Sequence, residues 1–203
     1  MRATAAAVIL AAVMCLPPTS WAKNLVGPAS LADVPSWAEG DTWRFSTPSG
    51  AEVMWTVTAV AKNAYEVSRK GPEGNSTLAI PRNLPVYGGD AVWQAPGNND
   101  NRVMWPLSAK AKWSVQTPAN DRGGPWDTAW KVQRVERVEV PAGAFAAVRI
   151  KGVQCNVPVQ KCASEFMWYA AAAKNVIKVQ WAENSYWGKL SGKEVQLVGY
   201  TLH

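Results

Sequence analysis

Trp130-Lys-Val-Gln-Arg-Val-Glu-Arg-Val-Glu-Val140, then Pro141-Ala-Gly143, then Ala144-Phe-Ala-Ala-Val-Arg-Ile-Lys-Gly-Val153 decides the fold class of this chain. Val138 and Val140 alternate with Arg137 and Glu139, and Val148 and Ile150 with Arg149 and Lys151. A period of two is the mark of a strand with one buried face. Pro141 presets the φ of a tight turn, and Gly143 can take the left-handed conformation that completes a three-residue hairpin with a bulge. Phe145 falls out of phase with Val148 and Ile150, which agrees with a bulge just after Gly143. Arg137, Glu139, Arg149 and Lys151 read as the solvated face of the pair, as cross-strand neighbours of opposite sign.

Outward from this hairpin the same grammar recurs. Thr42–Thr47, Glu52–Val60, Tyr65–Arg69 and Thr77–Ile80 are strand patterns separated by Pro-Ser-Gly, Lys-Asn and Gly71-Pro-Glu-Gly74 turns. Lys112–Pro118, Glu165–Tyr169, Val176–Trp181 and Lys193–Tyr200 continue it, with one short turn over Ala170–Ala173. The expected fold is all-β: a single antiparallel domain, as a curved sheet, an open barrel or a sandwich-like pair, built of two meander halves. Trp43-Arg-Phe-Ser-Thr-Pro48 and Trp113-Ser-Val-Gln-Thr-Pro118 share Trp-x-x-x-Thr-Pro. Each is followed by a second Trp-led strand, at Trp55 and Trp130, and by Lys-Gly at 70–71 and 151–152. Two related meanders would explain this echo, and so would chance likeness between hairpins.

The first residues are read apart from the fold. Met1-Arg2, the apolar run Ala3–Leu16 and Ser20-Trp-Ala22 have the layout of a secretory signal. The run is shorter than the ~20 residues a membrane-spanning helix needs. The expected organisation is therefore a signal peptide over 1–22, an irregular lead-in over 23–40 and a β-rich domain over 41–203. That places the protein in the periplasm or outside the cell, with no transmembrane segment after cleavage. Acylation at Cys15 would make a lipoprotein instead, but Met14 is a poor residue ahead of that cysteine. In an oxidising compartment Cys155 and Cys162, flanking a Pro-centred segment, are expected to face each other across a hairpin end as a structural disulfide. Their spacing is not the Cys-x-x-Cys of a redox pair. The chain carries +6, or +5 without Arg2, with Lys and Arg spread among apolar residues. A solvated strand face explains that, and affinity for anionic envelope polymers or lipid head groups is the alternative.

Val140-Pro-Ala-Gly-Ala-Phe145, Val148-Arg-Ile150, Trp168-Tyr-Ala170, Val176-Ile-Lys178 and Val195-Gln-Leu-Val-Gly-Tyr200 together resemble the TapB-like group of exported bacterial β-proteins, a domain family of unknown function. Gly40-Asp-Thr-Trp43, Trp105-Pro-Leu107 and Ala111-Lys-Trp113 add to the resemblance, which spans Gly40 to Tyr200. The chain departs from it in the alanines and Lys174 after Trp168-Tyr169, where members of that family carry Pro and Gly. The resemblance implies a β-rich envelope domain and no particular activity.

Chemistry leaves few marks. The one histidine, His203, is the last residue, so neither a His-based triad nor a His-based metal site is expected. Gly88-Gly89 and Gly123-Gly124 lack the strand–loop–helix setting of phosphate cradles. Asp90, Asp100, Asp121 and Asp127 sit in or beside loops near Trp93 and Trp126, a setting in which paired carboxylates could act on a glycoside. Surface acids beside core tryptophans are the plainer account. Of the twelve tryptophans, Trp43, Trp55, Trp113, Trp130 and Trp181 are expected in the core. Trp93, Trp126 and Trp187, with Tyr87 in the Gly- and Pro-rich stretch 81–102, are the candidate ligand contacts. The expectation is a non-catalytic envelope protein without cofactor or metal, serving as a binding or structural module for an unknown envelope component or small ligand. An apolar or lipid-like ligand is the sharper version. A carbohydrate-binding module using loop tryptophans comes next, and a small envelope hydrolase third. Nucleic acid is not an expected partner.

Overall fold

The computed structural model describes residues 30–82, 104–117, 125–183 and 191–203. Strands are β1 (Ser30–Ala32), β2 (Thr42–Ser46), β3 (Glu52–Val60), β4 (Ala64–Gly71), β5 (Gly74–Pro81), β6 (Leu107–Ser108), β7 (Lys112–Thr117), β8 (Trp126–Val140), β9 (Gly143–Asn156), β10 (Lys161–Ala170), β11 (Asn175–Trp181) and β12 (Glu194–Thr201). Only a single 3-10 turn, Ala171–Ala173, interrupts the β-structure of the described residues. Ten strands form one antiparallel sheet in the order β5-β4-β3-β2-β12-β11-β10-β9-β8-β7, and β1 pairs separately with β6.

That order is a continuous meander in two halves, β2 to β5 and β7 to β12, with the first strand joined to the last. Trp43 lies opposite Tyr200 and Phe45 opposite Leu197. The order is that of an up-and-down barrel left open between β5 and β7, which are the two edges.

Alternation decides which face is buried. Trp43 and Phe45 on β2, Val53, Trp55 and Val57 on β3, and Tyr65 and Val67 on β4 are at most 1% exposed. Successive registers then align Trp113, Trp130, Gly152, Glu165 and Trp181 in one row across β7 to β11. Trp130 lies flat over Gly152, where a Cβ would stand 2.3 Å from its ring. All five tryptophans expected in the core are buried. At ~25 cal/mol/Å² and ~200 Å² each, every such ring contributes about 5 kcal/mol of burial energy.

The echo also has a structural meaning. Trp43 pairs directly with Trp55, and Trp113 with Trp130. The Lys-Gly part does not correspond, because Gly152 faces Trp130 whereas Arg69, two residues before Gly71, faces Trp55.

The opening hairpin differs in two ways from its sequence reading. Register runs unbroken from Val140 opposite Gly143 to Arg134 opposite Arg149, so the bulge is not after Gly143. It falls on the other strand, between Val132 and Arg134, where Gln133 is the extra residue. Phe145 is out of phase because the buried face changes along β9, from Phe145 and Ala147 near the turn to Val148, Ile150 and Gly152 beyond it. The hairpin tip docks on β12, with the Ala142 N–H donating to the Leu197 carbonyl at 3.1 Å and Phe145 5.9 Å from the Tyr200 ring.

Cys155 and Cys162 are directly opposite on β9 and β10 and form a disulfide. Closing so short a loop restricts the unfolded chain by about 2.5 kcal/mol. Replacing both cysteines with serine is therefore expected to lower unfolding stability by about that amount, read from the urea midpoint. Gly152→Ala must push the Trp130 ring aside, with an expected loss of about 3 kcal/mol in the same measurement.

Candidate functional site

Tyr87, Trp93 and Trp187 lie outside the described residues, as do Asp90, Asp100 and Asp121. Trp126 is the first residue of β8, half-buried, opposite Thr117 on one side and Asn156 on the other. Beside it Asp127 is exposed and accepts a hydrogen bond from the Gln116 side chain at 2.9 Å. His203 is held by its backbone, whose N–H donates to Asp41 Oδ1 at 2.7 Å, and its ring covers Gly40.

The face opposite the tryptophans on β7 to β11 carries the concentrated polar chemistry of the described residues. One row is Arg134, Arg149, Trp168, Lys178 and Gln196. The Arg149 guanidinium stands 4.4 Å over the Phe166 ring and 5.4 Å from that of Trp168. The Lys178 ammonium lies 5.6 Å from the same indole. Carboxylates close both ends of this row. Glu136 accepts from Trp168 Nε1 and from Arg134 Nε, each at 2.6 Å, and lies 3.9 Å from Arg149. Lys178 pairs with Glu194 at 2.7 Å. Burial works to raise the Glu136 carboxyl, but the hydrogen bonds from Trp168 and Arg134 and the charges of Arg134 and Arg149 together hold it below its ordinary value.

A second row lies beside the first: Lys112 on β7, Lys131 on β8 and Lys151 on β9, each directly opposite the next. Alongside runs a strip of small residues, Ser114, Ala129 and Val153. The lysines, this strip and Gln133, together with Trp113 and Trp130, line a trough of about 630 Å³. Lys112, Lys131 and Gln133 are exposed and Lys151 is half-buried.

The sequence reading of the hairpin charges as opposite-sign neighbours is corrected by the register. Lys151 faces Lys131, Arg149 faces Arg134, and Arg137 and Glu139 face Ala146 and Ala144. Arg137 and Glu139 pair with each other along one strand, both about three-quarters exposed. Lys112 and Lys131 carried no signal of their own. They flank Trp113 and Trp130, and pairing those two tryptophans necessarily brings the lysines opposite each other on the other face.

The buried face offers less. Tyr169 is packed among apolar groups, and burial, with the charge of Asp33 second, pushes its phenol well above its ordinary value. Glu165 is buried and accepts from the Gln154 amide at 2.9 Å.

No protein-family model matches the chain, and no curated protein matches it. Among solved structures it is similar to a candidate exported protein with a YmcC-like fold from Bacteroides fragilis NCTC 9343. There the identity is 14% and the TM-score 0.44, over 84% of this chain and 99% of that one. It is also similar to a candidate lipoprotein from Parabacteroides distasonis ATCC 8503, at 12% identity and TM-score 0.43 over the same shares of the two chains.

Because the folded state holds Glu136 ionised more strongly than the unfolded chain does, its contribution is present above the ordinary carboxylate value of 4.5 and is lost as pH falls through the lower, folded value. Glu136→Gln is expected to flatten the acid limb of the stability–pH curve below about 4.5, measured by urea unfolding at stepped pH.

Proposed function

We propose that this chain is a non-catalytic binding or structural module of the bacterial cell envelope, of the TapB-like kind, that meets its ligand on the outside of its open sheet. The observation that supports this reading is the filling of the inner face. Trp43, Trp55, Trp130 and Trp181 are at most 1% exposed, and Met167 and Leu197 are fully buried beside them. Eight-stranded barrels that carry a ligand keep their interior free of such rings, whereas small barrels without one fill it with side chains. An apolar ligand taken up inside would have to displace indoles worth about 5 kcal/mol each. The outer face carries the exposed charge and the trough. The signal-like first residues and the disulfide support a place outside the cytoplasm. Trp126, half-buried at the start of β8, keeps a reading as a sugar-binding module open beside the main one.

Native mass spectrometry of the protein purified from bacterial envelopes, combined with tryptophan fluorescence during titration with a long-chain fatty acid, tests the reading. The expected result is protein free of stoichiometric lipid and an emission maximum that does not move. A one-to-one lipid adduct with a shifted indole emission would overturn it in favour of an internal carrier.

A further inference from the structure

We propose that the trough lined by Lys112, Lys131 and Lys151 binds a linear acidic polysaccharide through the carboxylates of successive sugars. This rests on the reading of the chain as an outward-facing binding module and names the ligand class for that face.

Three ammonium-bearing side chains stand directly opposite one another on adjacent strands. Like charges so placed lower the stability of a sheet. This sheet has the means to avoid such an arrangement and uses it elsewhere. Arg44 pairs with Glu52, Lys178 with Glu194, Arg134 with Glu136, and Arg137 with Glu139. Among the described residues no carboxylate lies within ion-pair distance of Lys112, Lys131 or Lys151. The nearest acids along the strands are already engaged, Asp127 by Gln116 and Glu136 by Trp168 and two arginines. The uncompensated charge therefore belongs to the row itself, and an anion from outside would complete it.

The shape of the trough selects among anions. Adjacent strands are ~4.8 Å apart, so the lysine stems are spaced across ~10 Å in a line perpendicular to the strands. That suits a chain with one negative group per repeat better than a single compact ion. Ser114, Ala129 and Val153 add only small side chains to the lining, which leaves room for a sugar ring beside the lysines. The Ser114 hydroxyl and the Gln133 amide, also in the lining, are partners for ring hydroxyls. A bilayer would instead meet a convex basic surface with apolar groups projecting into the head groups. The exposed Val157 and Val159 are at the β9–β10 turn and are not part of the trough lining.

The test uses the intact, disulfide-bonded protein and four probes: an oligogalacturonate, a neutral dextran, poly-glutamate of matched charge, and phosphatidylglycerol vesicles. Binding is read by isothermal titration calorimetry. Oligogalacturonate is expected to bind, to bind more tightly than poly-glutamate, and to weaken at least about tenfold between about 50 and about 500 mM salt. Dextran and vesicles are expected not to bind. Lys131→Gln should weaken oligogalacturonate about threefold to fivefold, and the triple Lys112→Gln, Lys131→Gln, Lys151→Gln variant should abolish it. The urea midpoint of the triple variant should stay level or rise, since like-charge repulsion is relieved, and Lys131→Arg should retain binding. Undiminished binding by the triple variant, a lowered urea midpoint in it, equal affinity for poly-glutamate, vesicle binding in place of glycan binding, or no binding to any polymer would each overturn the proposal. None of these outcomes depends on whether lipid co-purifies inside the sheet, so the two readings can fail separately.

Discussion

A carboxylate with no exposed surface, that of Asp41, holds together the three segments that complete this fold. Its Oδ2 accepts the Ala38 N–H at 2.9 Å and faces the Lys174 ammonium at 3.4 Å, while Oδ1 accepts the His203 N–H at 2.7 Å. Ala38 belongs to the lead-in, Lys174 to the turn between β10 and β11, and His203 to the end of the chain beyond β12. A buried charge survives only when its hydrogen-bonding capacity is met, and meeting it here requires all three segments in place. Lys174 adopts a left-handed conformation, φ 51°, which glycine would take at lower cost. Glycine would relieve about 1 kcal/mol of backbone strain and leave Asp41 without its cation, which costs more.

The same corner anchors the inner face. Trp37 donates its indole N–H to the Lys174 carbonyl at 2.9 Å, and Trp43 donates to that of Ala173 at 2.7 Å. Trp37 lies 4.8 Å from both the Trp43 and Tyr65 rings. The carbonyls released by the 3-10 turn are thus taken up by the aromatic groups that fill the sheet. An open sheet whose first and last strands are paired depends on this arrangement, because neither strand closes locally: Ser46 and Gln196, which hydrogen-bond one another, are 150 residues apart.

Strand positions were legible because they depend on local alternation. Glu52–Val60 agrees to the residue, and Thr42–Ser46, Asn175–Trp181 and Glu194–Thr201 agree to within one. The disulfide was legible from compartment and spacing, and the alanines after Tyr169 form one turn, as their flanks implied. The pairing of β2 with β12 was not legible, since it is set by long-range packing around Asp41 and Trp43. The bulge was placed on the wrong strand because turn chemistry speaks for residues beside the turn, while Gln133 lies ten residues from Gly143 along its partner strand. That residue decides which charges meet. Without Gln133 as the extra residue Lys151 would fall opposite Val132; with it, Lys151 meets Lys131.

The two basic rows on the outer face show how register separates structure from surface chemistry. In the row through Trp168, Arg149 and Lys178 lie against an indole or a phenyl ring, and Arg134, Arg149 and Lys178 each answer to Glu136 or Glu194. Two carboxylates thus answer the three cations of that row. One step along the strands, where Lys112, Lys131 and Lys151 align, the neighbouring outward side chains are serine, alanine and valine, and among the described residues no acid is within ion-pair distance. The lysine row rests on the tryptophan pairing underneath, since Trp113 against Trp130 fixes Lys112 opposite Lys131. Removing the charge from the second row would leave the buried face as it is, whereas removing it from the first would strip an indole of its cations and strand a partly buried glutamate. The core therefore tolerates change in the lysine row and constrains the other.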